Sequence, residues 1–465
     1  MEANITIEKR STIFRIDHHQ LKLKNKIHNK SIISLAAPIA LALLIPQLNF
    51  LTNTAFIGRL GQDELGVNGI SGVFYLLLAM VGYGLSSGLQ VLMARRVGEG
   101  DRKSLGKTLG NGLVLSLFFS FGLMMLSLWV APLIFSMSLH NDKHIFLSIK
   151  FIYTRVWGLP FLMLSQLANA FFIATGRSKY IIWGSLLATI LNIILDYALI
   201  FGHWGFEAKG LQGAAIASVC SEIAAAILMW IIFYAKKMNK KYEVRQLIQF
   251  DYRLAGDTLK VSTPLILQYF FSIGGWLIFF FYVEHLGTIE LAASQMLRSV
   301  LGIIGVCTWA FASSCNTLVS RTIGQGFQED VPKLIGKIVQ LSFITTLVIG
   351  LLLVLFPQYF LSLYTNDIAL IEFSIPALRA VVLGALLMSL ATVVFNGVVG
   401  TGNTWVNLGI EISCVLLYII YCFIFIQQWQ APLFVAWLSE CVYWLSLLLI
   451  ATFYLRYGRW RDKVI

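Results

Sequence analysis

Twelve long apolar stretches run along the chain, at approximately 32–57, 69–93, 108–133, 146–171, 179–201, 211–235, 259–283, 291–319, 335–357, 371–399, 404–427 and 431–455. Each is near the roughly 20 residues a helix needs to cross a hydrocarbon core about 30 Å thick. The stretches are continuous rather than alternating, so they do not read as the short two-residue-period strands of a membrane barrel. Lipid also dictates the helix, because only there does one segment satisfy its own backbone N–H and C=O groups. The pattern predicts an all-α membrane protein with twelve transmembrane helices.

The polar interruptions carry the second signal. Lys and Arg gather in residues 1–30, in loop 94–107, at Arg177 and Lys179, in 236–260, in 320–337 and at the C-terminus, 28 of 35 in all. With twelve spans, all six of these segments fall on one side. The other side holds Arg59, Lys143, Lys150 and Lys209, and Arg155, Arg298 and Arg379 fall inside spans. Cytoplasmic loops carry the excess of Lys and Arg, so both termini are expected in the cytoplasm.

The third signal is a duplication. Pro38 matches Pro264, Leu60-Gly61 matches Leu286-Gly287, and Glu64-Leu65 matches Glu290-Leu291. Arg95, Gly98 and Gly100 match Arg321, Gly324 and Gly326, and Thr175-Gly176 matches Thr401-Gly402, all 226 positions apart. Asn141-Asp142 and Asn366-Asp367 are 225 apart. A shared register over most of a half implies two copies. The chain then divides into a basic tail (1–30), a six-helix lobe (31–235), a linker (236–258), a second lobe (259–456) and a C-terminal tail (457–465). Each copy has an even number of spans, so the two share an orientation, related by an axis along the membrane normal. A cleft between such lobes would open to each side in turn as they rock, which points to a carrier.

Composition narrows the class. Hydrophobic residues make up 58% and charged residues 12%, about half the charged share of a soluble chain. The net charge of +12 is spent on loops, so nucleic acid is not an expected partner. Cys220, Cys307, Cys315, Cys414, Cys422 and Cys441 all lie in apolar stretches and read as small buried hydrophobes. The seven histidines show no metal-ligand spacing, and no cofactor is implied. Residues 1–30 have no apolar core that would make a cleavable leader. Phe14 and Ile16, followed by Lys22, Lys24, Lys26 and Lys30, suit a disordered tail or a segment lying on an anionic membrane surface.

Charges inside spans are costly and few. Asp196, the one Asp well inside a span, stands one helical turn after Asn192, on the same face. There it could bind and release a proton, or act as a packing device. Arg155 and Glu222 sit at similar depth, as do Arg379 and Glu440, which predicts an ion pair in each lobe; a proton relay is the sharper alternative. Glu411 is a candidate for lining the cavity, and Arg298 has no assignment. Span seven is strongly aromatic. Tyr269 and Trp276, seven apart, are candidates for substrate contact, as is Gln47. Pro46 removes a backbone hydrogen bond within span one, so that span could bend when ion occupancy changes, or be statically kinked.

The segment "AAPIALALLIPQLNFLTNTAFIGRLGQDELG", the loop "ARRVGEGD", "LPFLMLSQLANAFFIATGRSK", "NIILDYALIFG" and "GLQGAAIAS" together resemble the multidrug and toxic compound extrusion (MATE) family over nearly the whole chain. The resemblance implies a two-lobe, twelve-helix antiporter that exports amphipathic or cationic small molecules in exchange for H+ or Na+. It also implies a sodium-binding grouping of Asp196 with Asn192, Asn53, Ser218 and the Ala214 carbonyl. Two departures bear on the ion. Asn53 stands where the family often has Asp, and an amide offers oxygen to sodium but cannot carry a proton. Span seven has no acid. A related two-lobe activity, flipping of lipid-linked oligosaccharide, would need a strongly basic cavity, for which only Arg155, Arg298 and Arg379 are available. A membrane enzyme would need a paired-Asp, Ser/His or metal constellation, and the sequence has none. The expected setting is the bacterial inner membrane, as a monomer in lipid.

Overall fold

The computed structural model describes residues 28–243 and 250–461. Most of the basic tail, including Phe14, Ile16, Lys22, Lys24 and Lys26, lies outside the described residues, as do 244–249 and 462–465. Twelve long apolar helices are present among the described residues. They are α1 (Asn29–Gly58), α2 (Gln62–Glu99), α3 (Arg102–Ser138), α4 (Asp142–Ala174), α5 (Lys179–Phe201), α6 (Leu211–Ala235), α7 (Tyr252–Glu284), α8 (Thr288–Gly324), α9 (Val331–Leu355), α10 (Ile368–Thr401), α11 (Thr404–Cys422) and α12 (Leu433–Tyr457). They form two six-helix lobes, α1–α6 and α7–α12.

Local chemistry explains many helix ends. The side chains of Asp101, Asn141, Asp251 and Asp367 accept hydrogen bonds from backbone N–H groups at the starts of α3, α4, α7 and α10, which satisfies donors the helix itself cannot. Asn141 and Asp367 are 226 apart, so the cap restores the common register of the duplication. Gly61 and Gly287, also paired, precede α2 and α8 with φ of 145° and 151°, a region that disfavours a side chain.

Several helices outrun the apolar stretches. The 38 residues of α2 are about 57 Å long, so its ends project past the hydrocarbon and carry Arg95 and Arg96 with them. A 3₁₀ turn at Val156–Gly158 interrupts α4, just before Pro160, which cannot donate a helical hydrogen bond. In α11 the last turn widens to a π-helix over Phe423–Gln428. The expected linker is partly built into the fold. Met238 and Tyr242 are buried, Tyr242 packs on Phe171 at 5.5 Å, and α7 already begins at Tyr252. The expected C-terminal tail is likewise anchored, with Trp460 fully buried and its indole N–H donating to the Leu455 carbonyl at 2.8 Å.

Within each lobe the fourth helix is the hub. Most of α10 from Ala377 to Thr401 is buried, against α8 and α12; the Leu159–Ala174 part of α4 is nearly as enclosed. Outward surfaces are apolar instead. Trp129, Met137, Phe118 and Leu355 are more than two-thirds exposed, as lipid contact requires.

The lobes meet only along part of their length. Hydrogen bonds between α2 and the second lobe run from Ser262 Oγ to the Leu85 carbonyl (3.4 Å), from Gln90 Nε2 to Thr317 Oγ1 (2.8 Å) and from Ser320 Oγ to the Val91 carbonyl (2.7 Å). Further along, Arg95 reaches the Thr401 carbonyl (3.2 Å). All four lie toward the basic-loop end. Gly84 and Gly88 allow this closeness: a methyl group at either would collide with Ile266 or Ser262 of α7. Toward the other end α1 is largely uncovered, with Leu48, Phe50 and Leu51 all more than half exposed. The hydrogen bonds between the lobes thus gather at the basic-loop end, and the half of α1 away from it is uncovered.

Candidate functional site

α1 and α5 pack along one another and bring together residues 143 positions apart. Asp196, fully buried on α5, accepts a hydrogen bond on Oδ2 from Asn53 Nδ2 of α1 at 3.2 Å. Its other oxygen, Oδ1, has no hydrogen-bond partner among the described residues. One turn earlier Asn192 is buried as well, and neither atom of its amide is partnered. Asn49 of α1, one turn before Asn53, adds a third unpartnered buried oxygen. Most buried polar atoms in a folded protein find a partner, so this concentration marks the spot.

α6 runs beside α5, with Gly213 pressed against the Leu199 carbonyl. Ala214 is buried and Ser218 half-buried on it. Neither hydrogen-bonds to Asp196 among the described residues. The structure thus brings Asp196, Asn192 and Asn53 into one site and sets Ala214 and Ser218 on the neighbouring helix. Among the described residues, no group of three or more His, Cys, Asp or Glu is arranged to hold a metal.

The two lobes differ sharply in their ion pairs. Arg155 and Glu222 form a two-pronged pair, Nη1 to Oε2 and Nη2 to Oε1, both 2.8 Å. The Tyr75 hydroxyl also donates to this carboxylate at 3.0 Å, and the guanidinium lies 3.9 Å from the Tyr75 ring centroid. In the second lobe Arg379 is exposed and forms no ion pair with Glu440 among the described residues. The reason is register. Glu222 packs against Gly158 of α4, and Glu440 against Gly384 of α10, its counterpart 226 positions on. The position matching Arg155 is Val381, and Arg379 lies two residues earlier, roughly 200° around the helix. Glu440 is instead held by the Trp444 indole at 2.8 Å and the Tyr418 hydroxyl at 3.4 Å.

Glu411 is also placed differently from expectation. It is 1% exposed, so it does not line an open cavity. Asn407, Glu411, Cys414 and Tyr418 form a buried stripe on α11 at helical spacing, which turns the carboxylate inward. Glu411 accepts from Ser272 of α7 and, at 2.7 Å, from Tyr443 of α12. One turn before it, Asn407 donates to Gln268 at 2.6 Å. Trp276 is already engaged, with the Arg298 guanidinium 5.5 Å from its ring centroid and Phe280 edge-on at 5.2 Å. That contact gives the previously unassigned Arg298 a seat. Tyr269 remains half-buried on α7, and Gln47 is exposed on the uncovered part of α1.

Asn49, Tyr75 and Gln166 were not singled out by sequence. Gln166 is buried with both amide atoms unpartnered, and a methyl group on Gly82 would collide with it. A polar amide within an apolar span is the sequence signal that could have found Asn49 and Gln166. Tyr75 has no such signal, because a tyrosine in a span usually reads as lipid-facing.

Known proteins fit this arrangement. The chain is 25% identical over 446 residues to a probable multidrug resistance protein NorM of Thermotoga maritima, covering 94% of each chain. It is 27% identical over 342 residues to the NorM of Synechocystis sp., covering 72% of this chain and 73% of that one. It shares its fold, with a TM-score of 0.83 at 18% identity over 92% of this chain and 95% of the other, with a MOP superfamily transporter from Pyrococcus furiosus. The MatE family model matches twice, at residues 38–198 and 264–424, two stretches offset by the same 226 positions as the internal duplication. The chain therefore belongs to the MatE family and is a multidrug and toxic compound extrusion (MATE) transporter.

Proposed function

We propose that the protein is a secondary active antiporter that exports amphipathic or cationic small molecules in exchange for H+ or Na+, with Asp196 as the coupling residue. One observation carries the reading: a fully buried carboxylate with one oxygen unpartnered, beside an amide with neither atom partnered. Leaving such atoms bare costs about 1–3 kcal/mol each, and a bound monovalent cation would remove that cost at Asp196 Oδ1 and Asn192 Oδ1. Asn53 here donates through Nδ2; a half-turn of its amide would offer Oδ1 to sodium instead. The NorM relatives carry the words multidrug resistance in their names, which supports export of drug-like compounds.

The mechanism follows from the two ends of the cleft. The basic loops are proposed to be cytoplasmic, in a bacterial inner membrane, which makes this form outward-open. A cation entering from outside would reach Asp196 along the uncovered part of α1 and draw α1 against α5 through Asn53. Rocking of the lobes would then release the cation inward and accept a substrate. Flipping of a pyrophosphate-linked lipid fits less well. Arg155 is neutralised by Glu222, so of the three in-span arginines only Arg298 and Arg379 would carry uncompensated charge, too little for a strongly basic cavity.

The test is ethidium export from proteoliposomes under an imposed pH gradient or an imposed sodium gradient, applied separately. Wild type is expected to respond to one gradient, and Asp196→Asn to lower that gradient-driven rate at least tenfold. Export by Asp196→Asn at the wild-type rate under both gradients would overturn the assignment.

A further inference from the structure

At the basic-loop end the two lobes hold each other by a reciprocal device that ion binding does not use. Gly98 of α2 lies against the Arg321 carbonyl of α8, and Gly324 of α8 lies against the Arg95 carbonyl of α2; a methyl group on either glycine would collide with the facing carbonyl. The four residues form two pairs of the duplication, each 226 positions apart. So the crossing is two-fold symmetric, and its closeness depends on having no side chain at either glycine.

Each arginine at the crossing then reaches into the opposite lobe. Arg95, 4% exposed, donates from Nη2 to the carbonyl of Thr401, the last residue of α10, at 3.2 Å. Arg321 extends the other way, with Nη1 3.9 Å from where a side chain on Gly176 would begin, just past the end of α4. Thr175-Gly176 and Thr401-Gly402 are themselves counterparts. A cation at the C-terminal end of a helix meets its unpaired carbonyls and the negative end of its dipole. Arg95 therefore caps the hub helix of the second lobe, and Arg321 stands beside the matching end of α4 without a hydrogen bond to it among the described residues.

We propose that Arg95 and Arg321 form a two-armed latch that holds the basic-loop end shut, and that both arms must leave α10 and α4 for the cleft to open there. Arg95 sits in this position with Nε buried and unpartnered among the described residues, so leaving it would free one unsatisfied donor. The latch concerns the closing of the lobes alone and holds whichever ion binds at Asp196.

Electron–electron distance measurements test it, with spin labels at Lys103→Cys and Glu329→Cys, exposed positions on the basic loops of the two lobes, in full-length protein in nanodiscs. Wild type is expected to give one dominant short distance. Arg95→Gln and Arg321→Gln are each expected to raise the long-distance population at least threefold, and the double variant to raise it further. Arg95→Lys, which keeps the charge but loses the planar fork, should fall between. A distribution unchanged from wild type in both single variants, each eluting as a monodisperse species, would overturn the latch. If Arg95→Gln does not fold, the half-buried Arg321→Gln decides alone by the same reading. Because the readout is a distance, it is independent of whether Asp196 couples transport.

Discussion

Angle around the helix decides whether a charge inside the membrane meets its partner here. Arg155 meets Glu222 because it shares a face with Gly158, the small residue that lets the carboxylate close in. Arg379 misses Glu440 by two residues of register. The two arginines should therefore behave differently. Glu222→Gln leaves a buried guanidinium without its counter-charge, a loss of about 3–5 kcal/mol, seen as a clear drop in the melting temperature of the detergent-solubilised protein. Arg379→Leu removes an exposed charge with no partner and should move stability by less than about 1 kcal/mol. Equal losses from the two substitutions would mean that Arg379 has a buried role after all. Sequence could place all four residues at the right depth, but depth is a coarse coordinate. Angle around the helix follows from the exact register, and a two-residue offset between copies was enough to separate one pair.

At the scale of whole elements, α1 is the helix whose freedom matters. It carries Asn49 and Asn53 to the proposed cation site, stays helical through Pro38 and Pro46, and is uncovered along the half away from the basic loops. Each proline leaves the carbonyl four residues earlier without its helical donor, so α1 can bend at Pro46 without breaking a bond. Pro46→Ala restores that bond. The expected result is a several-fold slower ethidium export with an unchanged or higher melting temperature; export at the wild-type rate would remove bending of α1 from the mechanism. The spans themselves were legible in sequence because lipid leaves a helix no alternative and demands some 20 apolar residues each time. What escaped was everything set by contact between helices. The inward turn of Glu411, set by Ser272 and Tyr443 on other helices, depends on neighbours distant in sequence. The candidate site was half legible: Asp196 and Asn192 share one helix at i, i+4, but Asn49 belongs to another, and only the packing of α1 on α5 joins them.

For the whole molecule, which side the open cleft faces follows from charge alone. The contacts between lobes, from Ser262–Leu85 to Arg95–Thr401, crowd toward the loops that hold most of the Lys and Arg. On the proposal that those loops are cytoplasmic, the uncovered end would face outward, and a cation moving down its gradient would meet the proposed Asp196 site first. This ordering suits exchange: the form that receives the cation is the form that has just released its substrate. It can be checked with a membrane-impermeant maleimide on intact cells, after replacing the half-buried Cys220, Cys307 and Cys441 by Ser. His140→Cys and Trp204→Cys, exposed near the far ends of α3 and α5, should label from outside. Lys103→Cys and Glu329→Cys should label only once the cells are made permeable. The reverse pattern would turn the molecule over, placing the open mouth toward the cytoplasm and the Asp196 site first in line for substrate-side ions, and an exporter driven by inward cation flow would then have to begin its cycle from the closed end.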